Sequence, residues 1–299
     1  MLPPMRSLWA GAVAIVALSS CGLTSNPQAS NGKLEVVAAE NFWGSIAAQV
    51  GGDRVDVTSV IASPATDPHD YEPTANDARL IARSGYFIVN GAGYDPWASK
   101  LAAANPVPGR RILDVSALAG VHEGGNPHMW YSPHIVAEVI GRMSADLKQL
   151  DATDAGYFDQ QSTAYRSAGL RDYHDTIATI KRKYSGTPVG ASESIFAYLS
   201  PALGVNLITP PEYMKAISQG TDPSAADKAT VDRQVTTGQI KVFVYNSQNA
   251  TPDVQSVVGK ARAAGIPVVQ ITETVSPAAA SFQDWQTAQL KALLAALGG

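Results

Sequence analysis

The 299-residue chain has a single cysteine, Cys21, and therefore cannot form an internal disulfide bond. Small exported domains often depend on disulfides for their stability. Without one, an exported chain of this composition must be held together by its apolar core. Roughly 270 residues would remain after removal of a leader peptide, which is enough for two domains of ordinary size.

The sequence also lacks an excess of positive charge. It carries 22 lysines and arginines against 26 aspartates and glutamates, a formal net charge of −4. Loss of residues 1–20 would remove only Arg6 among the charged residues and would leave 21 basic and 26 acidic side chains, or −5. Because proteins that bind nucleic acids need clustered positive charge opposite the phosphates, we expect no nucleic-acid partner.

The apolar run at residues 8–18 is too short to cross the roughly 30 Å of hydrocarbon in a bilayer. Arg6 precedes this run and small residues follow it, so residues 1–20 are predicted to be a cleaved signal peptide. The tetrapeptide Leu-Ser-Ser-Cys that ends at Cys21 resembles the lipobox of bacterial lipoproteins, in which the cysteine is acylated. An ordinary signal peptide with an incidental cysteine is the alternative. We therefore expect export and a lipid anchor at Cys21 on the outer face of the cell membrane, facing the cell surface or the periplasm.

Strand-like and helix-like runs alternate along the rest of the chain. Runs rich in apolar residues predict strands at residues 34–38, 55–61, 86–90 and 111–114 in the first half, and at 187–191, 241–245 and 267–272 in the second. Helical periodicity predicts helices between them, among them 43–50, 75–83, 133–150, 254–264 and 281–297. This alternation is typical of α/β proteins, so we predict two lobes, each with a small parallel sheet flanked by helices.

A long helix is predicted between the two lobes. Residues 155–184 contain no proline and only two glycines, and a helix of about 30 residues would span roughly 45 Å. Two shorter helices that break near Gly169 are the alternative. The predicted organisation is a signal peptide at 1–20, a lipid-anchored flexible spacer at 21–32, an N-terminal α/β lobe at 33–150, a connector helix at 151–185 and a C-terminal α/β lobe at 186–299. A cleft between the lobes is the expected ligand site.

Two histidines lie in proline-containing segments, one in Asp67-Pro68-His69-Asp70-Tyr71-Glu72-Pro73-Thr74 and one in Asn126-Pro127-His128-Met129-Trp130. Proline fixes its own φ angle and favours extended geometry in the residue before it, so each imidazole is expected at a defined turn. Two rigidly mounted imidazoles that are far apart in sequence suggest convergence on one ligand. A divalent metal ion is the simplest ligand that would require them.

Two carboxylates are candidates for the other half of such a site. Glu193 follows the predicted strand 187–191, and Glu273 follows the predicted strand 267–272. Ligands of open α/β sheets bind at the carboxyl ends of the strands, where these side chains should lie. A glutamate after a strand is, on its own, more typical of a charge at a helix N-terminus, so the histidines provide most of the support.

The two histidine segments resemble signatures of the metal-binding lipoproteins that supply manganese and zinc ABC importers. Supporting segments are Glu40-Asn41-Phe42-Trp43, Asn90-Gly91-Ala92-Gly93, Ser192-Glu193-Ser194-Ile195-Phe196-Ala197-Tyr198 and Ile271-Thr272-Glu273. The resemblance covers essentially the whole chain after the signal peptide. It implies two four-stranded lobes bridged by one rigid helix, with one buried metal ion whose ligands are His69, His128, Glu193 and Glu273. It further implies a monomeric, non-enzymatic binding protein whose partner is the membrane permease of a metal ABC importer.

The chain departs from the family pattern around His128 and at the fourth ligand. Asn126 replaces an aspartate, and Tyr131 and Ser132 replace Leu-Asp before Pro133. At the fourth ligand position the family more often has Asp than Glu, so Glu273 adds a methylene group. These departures concern the surroundings of the ligands more than the identity of the ligand set.

The ligand set leaves zinc and manganese equally open. Oxygen ligands suit Mn(II), yet Zn(II) accepts the same two imidazoles and two carboxylates. The long histidine-rich loop of zinc-dedicated relatives is reduced here to a short segment at His122. The remaining histidines, His122, His134 and His174, are not expected to bind the metal.

Two other functions are compatible with the same candidate ligands or the same two-lobed architecture. A metal-dependent hydrolase could have a site of two histidines and two carboxylates, but the chain has no His-Glu-x-x-His or Gly-x-Ser-x-Gly motif. A receptor for a siderophore, haem or cobalamin could share the architecture, but nothing in the histidine segments provides the wide aromatic or basic cleft that such a ligand needs.

Overall fold

The computed structural model describes residues 29–30, 32–66 and 71–299. These residues form nine strands and twelve α-helices, in the order β1 (Ala29–Ser30), β2 (Lys33–Glu40), α1 (Asn41–Gly51), β3 (Val55–Ile61), α2 (Ala75–Arg83), β4 (Tyr86–Val89), α3 (Pro96–Ala104), β5 (Arg111–Asp114), α4 (Val115–Ala119), α5 (Pro133–Leu150), α6 (Ala155–Ala164), α7 (Arg171–Tyr184), β6 (Pro188–Ala191), α8 (Ser200–Leu203), β7 (Asn206–Leu207), α9 (Pro211–Ser218), α10 (Ala225–Thr236), β8 (Phe243–Asn246), α11 (Pro252–Ala263), β9 (Val268–Ile271) and α12 (Phe282–Leu297).

The first lobe is built on a parallel sheet with the strand order β3-β2-β4-β5, and β1 pairs antiparallel with the start of β2. All four residues of β4 are buried, as expected for a strand that is covered by helices on both faces. Residues on one face of the sheet pack against α1 and α5, and residues on the other face pack against α2 and α3.

The second lobe repeats this design with the parallel order β7-β6-β8-β9. Its central strand β8 is likewise fully buried. The prediction of an α/β fold with two small parallel sheets flanked by helices is therefore confirmed. Most predicted strands agree with the observed ones to within two residues, because their apolar, β-branched runs are bounded by turns.

The segment between the lobes is helical but not uniformly α-helical. A π-helical stretch, Tyr165–Gly169, separates α6 from α7, and the amide of Leu170 donates to the carbonyl oxygen of Tyr165 at 2.8 Å. A β-carbon at Gly169 would lie 2.6 Å from Cδ2 of Tyr165, so a larger residue would not fit there without a shift. The segment packs on both lobes: Arg166 donates to the carbonyl of Ala137 in α5, and Tyr165 donates to Gln283 in α12.

No helix among the described residues is long and apolar enough to cross a membrane. The predicted signal peptide, the lipidation site Cys21 and the predicted ligand His69 lie outside the described residues.

Candidate metal centre

Three of the four predicted ligands come together at the boundary of the two lobes. One ligand atom from each of His128, Glu193 and Glu273 lies within 4.8 Å of the other two. Nε2 of His128 lies 3.2 Å from Oε1 of Glu273. The fourth predicted ligand, His69, lies outside the described residues.

The imidazole of His128 is held in one orientation by its neighbours. It precedes the short 3₁₀ turn Met129–Tyr131, and its side chain is fully buried between aromatic rings. The centroid of its ring is 5.3 Å from the Trp130 ring and 6.2 Å from the Tyr94 ring. Nδ1 of His128 lies 2.8 Å from Oδ1 of Asn126, which also accepts the backbone amide of His128 at 3.2 Å.

This arrangement selects the tautomer of His128. Because Oδ1 of Asn126 accepts from a backbone amide, it also acts as an acceptor toward the ring, so Nδ1 carries the proton and Nε2 keeps its lone pair. Burial lowers the pKa of His128 to about 4, opposed by the nearby Glu193. The ring is therefore neutral at physiological pH, the form in which imidazole binds a metal.

Glu193 is a buried carboxylate held by two amide groups. It follows β6 in an extended conformation, and its side chain is inaccessible to solvent. Its Oε1 accepts from Nδ2 of Asn246 at 2.7 Å, and its Oε2 accepts from Nδ2 of Asn249 at 2.6 Å. Burial, and then the negative charge of Glu273, raise the pKa of Glu193, while His128 and the two amides act in the opposite direction. A cation at this position would stabilise the ionised form of Glu193 against both its burial and the negative charge of Glu273.

Glu273 follows β9, and the backbone amides of the residues before and after it are both hydrogen-bonded to glutamine side chains. The amide of Thr272 donates to Oε1 of Gln289 at 2.8 Å, and the amide of Thr274 donates to Oε1 of Gln248 at 3.0 Å. The side chain of Glu273 is 12 % exposed, whereas that of His128 is fully buried. Solvent therefore reaches this group of three side chains on the Glu273 side.

A cleft of about 760 Å³ opens beside Glu273 and is lined by both lobes. Its walls consist mainly of small and neutral polar residues, among them Ala92, Gly125, Ser194 and Gln219. The cleft is thus wide enough to admit a hydrated ion, and no described residue of its walls has an aromatic ring against which a macrocyclic ligand could pack.

Both departures from the family pattern around His128 make contacts between the lobes. Nδ2 of Asn126 donates to the carbonyl of Ser194 at 2.8 Å, and the hydroxyl of Tyr131 donates to the carbonyl of Thr272 at 2.8 Å. Ser132 instead caps α5, because its hydroxyl accepts from the amide of Ile135. Asn126 and Tyr131 therefore tie the segment that carries His128 to the segments that carry the two glutamates.

The remaining histidines lie away from this group. His134 is 83 % exposed and lies 3.5 Å from the carboxylate of Glu138 on its own helix. His122 and His174 are also at the surface. Within the described residues, none of the three joins a set of metal-ligating side chains.

Sequence reasoning missed Asn246 and Asn249, the two residues that hold Glu193. Asn246 ends β8, and Asn249 lies in the loop that follows. The available signal was the position of an asparagine at the carboxyl end of a buried strand next to the strand that precedes Glu193.

Known proteins resemble this chain along most of its length. It is 27 % identical to a manganese ABC transporter substrate-binding lipoprotein, PsaA of Streptococcus mitis, over 268 residues that cover 80 % of this chain and 81 % of that protein. It is 23 % identical to the high-affinity zinc uptake system protein ZnuA of Bacillus subtilis, over 81 % of this chain and 82 % of that protein.

Solved structures share the fold. The Mn-bound periplasmic metal binding protein from Candidatus Liberibacter asiaticus superposes with a TM-score of 0.73 at 20 % identity, over 88 % of this chain and 98 % of that one. The substrate-binding protein FpvC of P. aeruginosa, in complex with Ni²⁺, gives a TM-score of 0.69 at 20 % identity, over 88 % and 96 % of the two chains.

A match to the profile of one protein family extends over nearly all of the described chain. It covers residues 36–296, which include most of the first sheet, all of the second, the helices between them and the three clustered side chains. The chain belongs to the ZnuA family, described as the periplasmic component A of the zinc-uptake complex.

Proposed function

We propose that this protein captures one divalent transition-metal ion, zinc or manganese, between its two lobes and delivers it to the permease of an ABC importer. The single observation that carries this proposal is the convergence of His128 from one lobe with Glu193 and Glu273 from the other within 4.8 Å. Manganese and zinc are the metals in the names of the relatives PsaA and ZnuA.

In this proposal His128, Glu193 and Glu273 are metal ligands and His69 is the fourth. Two neutral imidazoles and two carboxylates would balance the charge of a dication. The support for His69 is its sequence motif alone, whereas the other three also have the geometry described above.

The protein is a binding protein and not an enzyme, as its family indicates. A metallohydrolase needs an open coordination position for water or substrate, and a ligand set of four side chains leaves none in a tetrahedral site. The alternative of a siderophore, haem or cobalamin receptor is not favoured either, because none of the described residues that line the cleft is aromatic.

The proposed cellular location follows from the N-terminal segment. Export by the signal peptide at residues 1–20 and acylation of Cys21 would place the protein on the outer face of the membrane, as a monomer next to its permease. Residues 21–32 would then serve as a flexible spacer before the N-terminal lobe at 33–150, the connector at 151–185 and the C-terminal lobe at 186–299.

Elemental analysis of the protein purified from its native host tests the proposed function. We expect one zinc or manganese ion per chain, no absorbance from haem or cobalamin, and no hydrolysis of ester, peptide or phosphate substrates. A preparation with no bound transition metal and no metal-dependent rise in thermal stability would overturn the proposal.

A further inference from the structure

The side chain of Asn126 joins a candidate ligand of one lobe to the backbone beside a candidate ligand of the other. Its Oδ1 accepts from Nδ1 of His128 at 2.8 Å and from the amide of His128 at 3.2 Å. Its Nδ2 donates to the carbonyl of Ser194 at 2.8 Å, and Ser194 directly follows Glu193. One amide group therefore contacts both halves of the site.

These contacts require an amide at position 126. Oδ1 of Asn126 faces two donors of His128 and, at 3.4 Å, the hydroxyl of Ser194, so an acceptor is needed there. Nδ2 of Asn126 faces the carbonyl oxygen of Ser194, so a donor is needed there. An aspartate, the usual residue of the family here, would satisfy His128 but would place a carboxylate oxygen against the Ser194 carbonyl. The contacts at position 126 therefore match both the acceptor and the donor of a side-chain amide.

Ser194 is held within the second lobe by two contacts with Ser218. Its amide donates to the hydroxyl of Ser218 at 3.0 Å, and the hydroxyls of the two serines lie 2.7 Å apart. A further contact between the lobes supports the backbone of Asn126, because the hydroxyl of Tyr198 donates to its carbonyl at 3.0 Å. Any separation of the lobes must therefore remove the partner of Nδ2 of Asn126.

We propose that Asn126 couples the closure of the two lobes to the orientation of His128 and thereby slows the release of the bound metal. The proposal rests on the proposed function. With the lobes together, the Ser194 carbonyl fixes the amide plane of Asn126, and Oδ1 holds the His128 ring with Nε2 directed at Glu273. With the lobes apart, the amide is free to rotate, and His128 and Glu193 leave the metal together.

If Asn126 had the simpler role of orienting His128, the substitution Asn126→Asp would have the opposite effect on metal retention. If Asn126 only oriented His128, an aspartate would serve better, because a carboxylate beside Nδ1 makes the ring a stronger metal ligand. Asn126→Asp would then retain the metal for longer. Under the coupling proposal the same change shortens retention, because it removes the donor to Ser194 and sets two oxygen atoms against each other.

The test is the rate at which the metal-loaded full chain loses Zn(II) or Mn(II) to excess EDTA in a stopped-flow instrument. We expect Asn126→Asp to release the metal about tenfold faster than the wild type, which is the effect of one buried hydrogen bond lost with its acceptor left unpaired. Asn126→Ala, which lacks both sets of contacts, should release it faster still. The metal-free thermal unfolding midpoint of Asn126→Asp should fall by only about 3–6 °C, the effect of the same lost bond on a chain of this size, so the variant should remain folded at 25 °C.

Tyr198→Phe is the matched control, since it removes a bond between the lobes at the same residue and leaves the side chain of Asn126 in place. Its release rate should stay within about threefold of the wild type, as for a half-exposed neutral hydrogen bond. Release from Asn126→Asp at the wild-type rate or slower, or equal acceleration by Tyr198→Phe, would overturn the coupling proposal. A wild-type chain that binds neither metal would overturn the proposed function, and the coupling with it.

Discussion

Nε2 of His128 and Oε1 of Glu273 lie 3.2 Å apart and both present lone pairs to the space between them. The proton of the imidazole is on Nδ1, where Asn126 accepts it, and Glu193 adds a second buried carboxylate within 4.8 Å. The two carboxylates carry like charges in a largely buried site, and the imidazole directs a lone pair toward one of them, so a positive charge among the three groups would be stabilising. A divalent cation satisfies all three groups at once, which is why we interpret the cluster as a metal centre.

Replacement of His128 should abolish tight metal binding. We expect His128→Ala to weaken the affinity by about two orders of magnitude or more, since even residues that only support a ligand contribute 10- to 100-fold. The measurement is a competition titration against a chelator of known affinity. His134→Ala is the matched control, because His134 is 83 % exposed and should be replaceable without effect. Equal affinities of the two variants would exclude His128 as a ligand.

The neutral isostere Glu193→Gln should also lose affinity by about two orders of magnitude, and for two reasons. It removes a negative ligand, and its own NH₂ group would face the amide donor of Asn246 or Asn249. The same titration measures this change, with Glu123→Gln as a control for loss of charge at the rim of the cleft. If both variants bound equally well, the metal would have to be held elsewhere.

Metal removal should lower the thermal stability of the wild-type chain. A ligand at about 1,000 times its dissociation constant adds roughly 4 kcal/mol to the stability of the folded state, or about 10 °C for a chain of this size. Addition of EDTA during a calorimetric scan should therefore lower the midpoint by about that amount. Glu193→Gln, whose binding should be about 100-fold weaker, should show only about a third of this EDTA effect. A full-sized effect in that variant would contradict the assignment of Glu193 as a ligand.

A buried pair of carboxyl groups, Glu40 and Asp95, should make the stability depend on pH. Glu40 is fully buried, and neither of its carboxyl oxygens accepts a hydrogen bond from any described residue. Burial, followed by the negative charge of Asp95, raises the pKa of Glu40 well above 4.5, and burial raises the pKa of Asp95 to about 6. The folded state therefore keeps protons that the unfolded chain has already released.

The sign of the pH effect follows from this difference in bound protons. Above the unfolded pKa values the native state binds more protons than the unfolded state, so stability falls as the pH rises through the raised pKa values of the folded state. Urea unfolding of the metal-free chain from pH 5 to 8 should show this fall, and Glu40→Gln should reduce it. Equal pH slopes in the wild type and Glu40→Gln would show that Glu40 is ionised in both states.

Acylation of Cys21 would retain the protein in the membrane fraction. We expect Cys21→Ala to appear in the soluble exported fraction with unchanged metal affinity, because the anchor lies outside both lobes. Fractionation of cells followed by immunodetection checks this. A variant that remained with the membrane to the same extent as the wild type would point to a different mode of attachment.

The fold could be predicted from the sequence because local and global signals agree. The strands are short apolar runs bounded by turns, such as Phe243–Asn246, and the helices have clear periodicity and caps, such as Ser132 before α5. The π-helical stretch Tyr165–Gly169 could not be predicted in detail. Its geometry depends on contacts with α5 and α12, which are set by tertiary packing and not by the local sequence.

The candidate site was predictable where its residues carry a local signal. His128 lies next to a proline, and Glu193 and Glu273 follow predicted strands, so the sequence alone was enough to name them as candidate ligands. Asn249 could not be recognised in this way, because an asparagine in a loop has many uses, and Asn246 offers only the weak signal of its position at the end of β8. Their role becomes visible only when β6 and β8 are paired and both amides face the carboxylate of Glu193.

The most direct test is anomalous diffraction from crystals of the metal-loaded protein, recorded at the zinc and manganese absorption edges. The account predicts a single peak bonded to Nε2 of His128 and to carboxylate oxygens of Glu193 and Glu273, at about 2.0–2.2 Å for zinc, with His69 completing the shell. A peak that has no contact with His128 and the two glutamates, or no peak at either edge, would contradict it.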